Sequence, residues 1–237
     1  MRSQFYPNHE RLFCAVLVTF VSGFINAFTF LTQGGRFAGV QTGNLLMLGI
    51  RLAEGRLLDA LKFCLPIAVF MVGQGISYYL KNWVIQRKYH WHLSSSFVLT
   101  FMAFLTLILI DDWHPYAIVA LLALFMSLQV DTFKAIQGTS FATVMMTGNI
   151  KNAAYLWVKG FMEKDVQTRR DSRHILIILG TFSLGAMVAT LLCRRYGEMA
   201  FGLVLIPLFI LNAYLAHGVR RSPSHNPKNI FKKLDTK

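Results

Sequence analysis

Two stretches of this 237-residue chain interrupt long apolar runs with glycine, threonine and asparagine, and both do so in the same pattern. The first reads Gln33-Gly34-Gly35-Arg36-Phe37-Ala38-Gly39-Val40-Gln41-Thr42-Gly43-Asn44. The second reads Gln137-Gly138-Thr139-Ser140-Phe141-Ala142-Thr143-Val144-Met145-Met146-Thr147-Gly148-Asn149. At an offset of 104 they agree at Gln33/Gln137, Gly34/Gly138, Phe37/Phe141, Ala38/Ala142 and Val40/Val144. One inserted methionine moves the offset to 105, which pairs Thr42/Thr147, Gly43/Gly148, Asn44/Asn149 and Gly55/Gly160. Identity at nine of 23 aligned positions marks an internal duplication.

The setting of these breaks limits the fold. Backbone that leaves a helix at membrane depth survives only where protein or a water-filled cavity covers it. Thr-Gly-Asn opening onto Leu45-Leu46-Met47-Leu48 also reads as a helix start, with Thr42 or Asn44 placed to cap free N–H groups. Interrupted apolar segments at matching places in two halves point to a transporter binding site.

Composition decides the solvent. The chain is 54% hydrophobic and 15% charged, against about a quarter charged in a soluble domain. Its mean hydropathy is +0.46. Tyr78, Tyr79, Trp83, Trp113, Tyr116, Trp157 and Tyr196 cluster near the ends of apolar runs, as interfacial anchors do. The chain therefore reads as an integral membrane protein. The net charge of +13 resides in loops and the tail, which suits segments kept in the cytoplasm and not a nucleic-acid surface. Cys14, Cys64 and Cys193 lie in apolar segments without metal or disulfide spacing, so they read as packing residues. No small-residue cleavage site follows the first apolar run, and that helix is expected to stay.

Taken in order, full crossings are expected over about 12–31, 63–80, 96–110, 116–137, 174–192 and 199–217. On the first, Thr19, Ser22, Asn26, Thr29 and Gln33 share one face. That face is either a hydrogen-bonded seam between helices or a polar wall along a pathway, with Asn26 at its midpoint. Ser127, Asp131 and Lys134 are expected together on the last turns of the fourth crossing. The fold class is thus all-α: one membrane domain, 1–237, with two homologous three-helix repeats (11–110 and 115–217) and a basic cytoplasmic tail, 218–237. Each repeat adds one short interrupted helix. If those helices dip and return, there are six crossings, two half-helices and inverted halves. If they span, there are eight crossings and parallel halves. The Lys/Arg tally is the same under both. Leu45–Ile50 is too short to span before Arg51, which favours dipping elements.

Enzyme chemistry finds little support. The histidines fall in loops or at helix edges, and no phosphate-cradling Gly-Lys-Ser/Thr or Gly-x-Ser-x-Gly pattern occurs. No cofactor is expected. Asp131, Lys134 and Lys151 are the charges expected away from the interfaces, where a charge costs roughly 2.5–3.5 kcal/mol unless paired or used. Asp131 and Lys134 read either as a mutual pair or, with Lys151, as a cation and anion site. Two half-helix N-termini with Lys151 one turn into the second favour a small anion or carboxylate. The Thr-Gly-Asn motif itself reads equally as a tight contact in which Asn and Thr tie down neighbouring backbone.

With Gly23-Phe24-Ile25-Asn26-Ala27, then Phe37, then Thr42-Gly43-Asn44, the chain resembles the YoaK-like family of bacterial inner-membrane proteins, a domain of unknown function. The resemblance covers about 11–217 and implies six transmembrane helices in the bacterial inner membrane. It supplies no substrate. Members usually have Asp at the position of Asn26, and a Gly-x-Gln-Asn run where this chain has Ser127-Leu128-Gln129-Val130. If that Asp is a proton or cation site it is neutral here, and Asp131 is the candidate to take over the role.

The expected function is a secondary transporter or facilitator of a small solute, with its site between the two Thr-Gly-Asn elements. The residues named for it are Asn26, Gln41, Thr42, Gly43, Asn44, Gln129, Asp131, Thr147, Gly148, Asn149 and Lys151. The alternative is a non-transporting membrane scaffold or sensor that docks a partner through its tail. Both termini are expected in the cytoplasm, with anionic lipids at the basic tail, no nucleic acid, and a homo-oligomer left open.

Overall fold

The computed structural model describes residues 6–111 and 113–221; the expected lipid-binding tail falls almost wholly outside them. The described chain is all-α apart from one small hairpin. In order it forms α1 (Leu12–Thr32), α2 (Gln41–Ala53), α3 (Leu57–Gln86), α4 (Trp91–Leu109) and α5 (Pro115–Thr132). Strands β1 (Ala135–Ile136) and β2 (Thr139–Ser140) follow, then α6 (Met146–Met162), α7 (Val166–Tyr196) and α8 (Leu205–Arg221). Short 3-10 turns cover Asn8–Glu10 and Gly197–Val204. Five helical stretches are long and apolar enough to cross a membrane: α1, α3, α4, α5 and the continuous run from Val166 to Arg220. This is a multi-pass membrane protein.

That last run does not extend straight. Gly197 takes φ +59°, so α7 stops there with Arg194 and Arg195 in its final turn, where cations suit the helix dipole. The chain then turns back along α1. Gln33 Nε2 donates to Glu198 at 2.7 Å near one end of α1, and Asn8 Nδ2 donates to the Tyr214 carbonyl at 3.3 Å near the other. Other helix starts are locally encoded. Asp165 accepts from the backbone N–H groups of Gln167 (2.9 Å) and Thr168 (3.3 Å) at the head of α7, and Pro115 opens α5.

Helix α1 is the axis of the packing. Val18, Phe24, Ile25 and Phe28 are buried, as are Thr19, Ser22 and Thr29 on its polar face. It runs alongside α7 at backbone contact. A Cβ on Gly23 would lie 2.0 Å from the Phe182 carbonyl oxygen, and one on Gly185 would lie 2.2 Å from that of Phe20. α3 meets α5 in a similar close approach, since a Cβ on Gly73 would lie 2.7 Å from Ser127 Oγ. α1 and α5 run in opposite directions: Gln129 Nε2 donates to the Val18 carbonyl at 3.0 Å, while Arg36 stacks on the Tyr116 ring at 4.1 Å.

Between these long helices lie two shorter detours. From Thr32 the chain doubles back to the level of Asn26, about 9 Å inside the end of α1 at 1.5 Å per residue. α2 then carries it to the start of α3. From Thr132 it passes through the hairpin and folds inward until Val144 lies beside Met126 near Gly39, and α6 carries it out to α7.

The expected helix over 116–137 stops at Thr132 instead. Phe133 is extended, and the pairs Ala135↔Ser140 and Ile136↔Thr139 enclose Gln137 (φ +50°) and Gly138 (φ +84°), a two-residue turn with both residues left-handed. Gln137 is held from outside: its N–H donates to the Glu10 carbonyl at 2.8 Å, and Arg170 donates to its Oε1 at 2.5 Å. The equivalent Gln33-Gly34 closes a helix instead, with only Gly34 left-handed. One dipeptide serves two backbone outcomes because only the second copy has an N-terminal carbonyl to pair with. Lys134 consequently lies beyond the helix and does not share a helical face with Ser127.

Candidate functional site

The shared geometry of the two breaks rests on asparagine. Asn44 Oδ1 accepts from the Phe37 N–H at 2.9 Å, and its Nδ2 donates to the Phe37 carbonyl at 2.7 Å. Asn149 does the same to Ala142, accepting from its N–H at 3.1 Å and donating to its carbonyl at 2.7 Å. Each side chain is buried and clasps the peptide group seven residues upstream. A primary amide carries its donor and its acceptor on two adjacent atoms, which suits it to grip both the N–H and the C=O of one residue. Neither helix start has a side-chain cap from its own Thr or Asn, contrary to the expected capping by Thr42 or Asn44. The turn leading into α2 is held from a distance: Asn26 Oδ1 accepts from Gly39 N–H (2.9 Å) and Val40 N–H (3.0 Å).

Asn26 is thus a pin. Its Nδ2 donates to the Ser22 carbonyl at 2.8 Å, so both ends of the amide are used. Thr29 Oγ1 accepts from Ala38 N–H at 3.2 Å. The polar face of α1 holds the first break in place more than it faces an opening. Gln41 contributes to the same cluster, donating to the Ala38 carbonyl and accepting from Asn44, each at 2.8 Å. Gly43 lets the Phe37 ring approach, since a Cβ there would lie 2.8 Å from it. Thr42, Thr147 and Gly148 are exposed.

The breaks meet, but through apolar atoms. A Cβ on Gly39 would lie 2.9 Å from both Met126 Cε and Val144 Cγ1. The polar space lies to one side. A groove of about 580 Å³ is lined by Gln74, Lys134, Ser140, Asn149, Lys151 and Asn152, among others, and by nothing from α2. It therefore gathers Asn149, Gly148 and Lys151 of the expected site, and leaves Asn26, Gln41, Thr42, Gly43 and Asn44 elsewhere. A single wet chamber shared by both breaks is not what the described residues form. Asp131 pairs with Lys134 across one turn, with Lys134 more than half exposed. Lys151, also exposed, keeps no ion-pair partner among the described residues.

Gln129, named from the sequence, keeps one polar atom spare, whereas Thr143, Arg36 and Gln74 were not marked by the sequence. Gln129 is buried, with Nε2 donating to the Val18 carbonyl and to Ser22 Oγ at 2.5 Å, while its Oε1 has no partner. Thr143 Oγ1, beside Val144, is likewise buried and unpartnered. Arg36, in the first break, is buried with Nε donating to the Gln33 carbonyl at 2.9 Å and Nη1 unpartnered. Burial pushes the Arg36 guanidinium below its ordinary value, with Tyr116 opposing. An arginine within a Gly-Gly-Arg-Phe run gave no sign that it would fold inward instead of snorkelling. Gln74 was hidden between Gly73 and Gly75, which read only as helix contacts; its Nε2 donates to Ser127 Oγ at 2.8 Å.

Residues 14–214 match the family described as Protein of unknown function (DUF1275). The chain belongs to that family. The match spans both breaks, the polar face of α1 and the groove. No curated protein and no solved structure gives a significant match to the chain.

Proposed function

We propose that this DUF1275 member is a secondary transporter or facilitator of a small anionic solute in the bacterial inner membrane. The carrying observation is the pair of asparagine clasps, which hold two equivalent non-helical segments in the interior and bring them together at Gly39 and Val144. On this reading the chain is two inverted three-crossing repeats, 11–110 and 115–217, with α2 and α6 as half-helices. α1, α3, α4, α5, α7 and α8 are the crossings, and both termini are cytoplasmic.

Inversion has a mechanical consequence. Equivalent segments enter from opposite ends, so one conformation exposes the approach to one break while the other is closed. Here the groove beside α6 is open, and the Gly39–Val144–Met126 contact is a thin apolar seal. Lys151 and Lys134 are the cations at the open approach, and the buried Arg36 guanidinium lies beside the closed one. Unpartnered Gln129 Oε1 and Thr143 Oγ1 are among the interior polar atoms a passing solute can use. No bond-making chemistry is assigned to this site.

The test is flux. Full-length protein in liposomes should carry at least one of chloride, phosphate or acetate down an imposed gradient. Lys151→Gln combined with Lys134→Gln should cut that flux at least tenfold while the variant still elutes as folded protein. Flux no higher than in empty liposomes for all three ions would defeat the transport reading.

The second reading, a scaffold or sensor, is favoured by the dryness of that same contact. Deleting the chain after Gly218 separates the two: a scaffold that docks through its tail loses its partner, whereas flux through the transporter persists.

A further inference from the structure

Residues 6–11, just ahead of α1, form a strap across one end of the bundle. On one side the strap is anchored to α4 and α8. The His9 ring stacks on His92 with centroids 3.5 Å apart and planes 12° from parallel, and Asn8 Nδ2 donates to the Tyr214 carbonyl at 3.3 Å. Gly218 closes against the same residue, since a Cβ there would lie 2.1 Å from Asn8 Nδ2. On the other side the strap holds the turn of the hairpin. The Glu10 carbonyl accepts from Gln137 N–H at 2.8 Å, and a Cβ on Gly138 would lie 3.7 Å from the Tyr6 ring.

The hairpin is in turn a wall of the groove. Ser140, Phe141 and Ala142 line that groove, and Ala142 is the residue that Asn149 clasps. Phe141 N–H closes the hairpin by donating to the Lys134 carbonyl at 3.1 Å. Ile136 and Phe141 pack with Ala15 and Ile178 in a small cluster apart from the main core. An isolated two-stranded hairpin is marginal at best. Its order therefore depends on what surrounds it, and the strap supplies contacts at its turn.

His9 is the part of the strap that a proton can change. Face-to-face imidazoles at this separation disfavour a charge on both rings, because like charges repel and neither is well hydrated. The neighbours add to the effect. Arg11 on the strap, His90 and His92 at the start of α4 and His217 near the end of α8 line one cavity with His9, and Lys81 near the end of α3 lies within electrostatic reach of His92. Glu10 is the opposing carboxylate, and burial still holds the His9 imidazole below its ordinary value. His90 and His217 are exposed, so protons reach this cavity of about 560 Å³ from solvent.

We propose that the His9–His92 stack is a proton-sensitive latch: protonation of His9 frees the strap, and the freed strap releases the hairpin that walls the groove. A folded chain that binds the proton less tightly than the unfolded one keeps the latch closed above about pH 6.5 and loses it as pH falls further. The latch would regulate the site of the transport reading and takes its biological meaning from it. Hairpin order is measured without flux, so the two proposals fail separately.

Hydrogen exchange of the full chain in neutral detergent, followed by mass spectrometry from pH 7.5 to 5.5 and corrected for intrinsic exchange, tests the latch. Peptides covering 8–12 and 135–141 should together exchange about fivefold or more faster at the lower pH, while 175–185 of α7 stays protected. His9→Phe keeps a ring on His92 with no proton to gain, and should flatten the response of both segments. His90→Gln and His217→Gln remove cavity imidazoles outside the stack and should leave the response in place. Asn8→Ala removes the other anchor without touching a histidine, and should speed exchange at 135–141 already at pH 7.5; it serves also should His9→Phe misfold. A hairpin that stays protected at low pH or in Asn8→Ala, or one that opens only together with 175–185, would overturn the coupling. A response that survives in His9→Phe, or vanishes in His90→Gln or His217→Gln, would overturn His9 as the sensor.

Discussion

At the scale of single residues, the asparagines of the two breaks carry the most structural weight. Asn44→Ala strands the Phe37 N–H and carbonyl, and Asn149→Ala strands those of Ala142. Each buried group left without a partner costs about 1–3 kcal/mol, so each variant should lose roughly 2–4 kcal/mol. Unfolding midpoints in detergent would measure this, and a change of only a few tenths would show that water replaces the clasp. Asn44→Asp is expected to be as damaging, because its carboxylate cannot donate to the Phe37 carbonyl. The Asp131–Lys134 pair contrasts with these. Lys134 is largely exposed, so Lys134→Ala should cost less than about 1 kcal/mol.

His9 shows how a residue outside the helices ties pH to local order. Burial holds its imidazole below the ordinary histidine value of 6.5, with Glu10 opposing. His92 stacks on it with ring centroids 3.5 Å apart, and Arg11, His90 and His217 line the same cavity between the starts of α1 and α4 and the end of α8. The folded chain binds this proton less tightly than the unfolded chain does. The contribution is complete above pH 6.5 and is lost as pH falls below it. Amide exchange at residues 8–12 should therefore accelerate as pH drops from 7 to 5, after correction for intrinsic exchange. His9→Phe should remove the dependence.

At the scale of elements, the packing of α1 on α7 is set by two missing side chains. A methyl group at Gly23 or Gly185 runs into carbonyl oxygen of the partner helix, which cannot rotate away. Gly23→Ala and Gly185→Ala should each destabilise by about 1–3 kcal/mol or more, the range for overpacking. Gly180→Ala, on α7 with open space at its Cβ, is the control, and helix propensity predicts that it stabilises by up to about 1 kcal/mol. Thermal unfolding of the three variants side by side would decide this; equal effects would mean that close approach is not what these glycines provide. Sequence periodicity located α1, α3, α4, α5 and α7 because apolar runs of that length leave few alternatives. It overran α5 by five residues because it could not see the Glu10 carbonyl that pairs with Gln137 and lets a hairpin compete with helix.

At the scale of the whole molecule, the inverted-repeat reading makes a topological prediction. Cysteines replacing Glu54, between α2 and α3, and Glu163, between α6 and α7, should react with a membrane-impermeant thiol reagent from opposite sides. A background lacking Cys14, Cys64 and Cys193 is needed. Labelling of both from the same side would end the inverted arrangement and favour eight spans.

Much of the candidate site was legible as motif but not as role. The repeated Thr-Gly-Asn motif drew attention to Asn44 and Asn149, each of which clasps a peptide group. It could not say that their amides are consumed by backbone, since a clasp to a peptide group seven residues away depends on the fold of the intervening loop. Lys151 was found because a charge after an apolar break is conspicuous. Arg36 and Gln74 were not, because nothing local distinguishes an inward-turned polar chain from one that snorkels.

Sequence alone determined the solvent, the long helices and the presence of two glycine-containing breaks, because hydrophobic run length and its interruption are properties of the chain as written. Tertiary structure decided which polar groups are spent on each other and which are left over. Asn26 became a pin, the breaks met through the Val144 methyl at Gly39, and Trp91 was left with an unmatched donor. Those outcomes depend on distances between segments far apart in the chain, and such distances are not encoded in any window of residues.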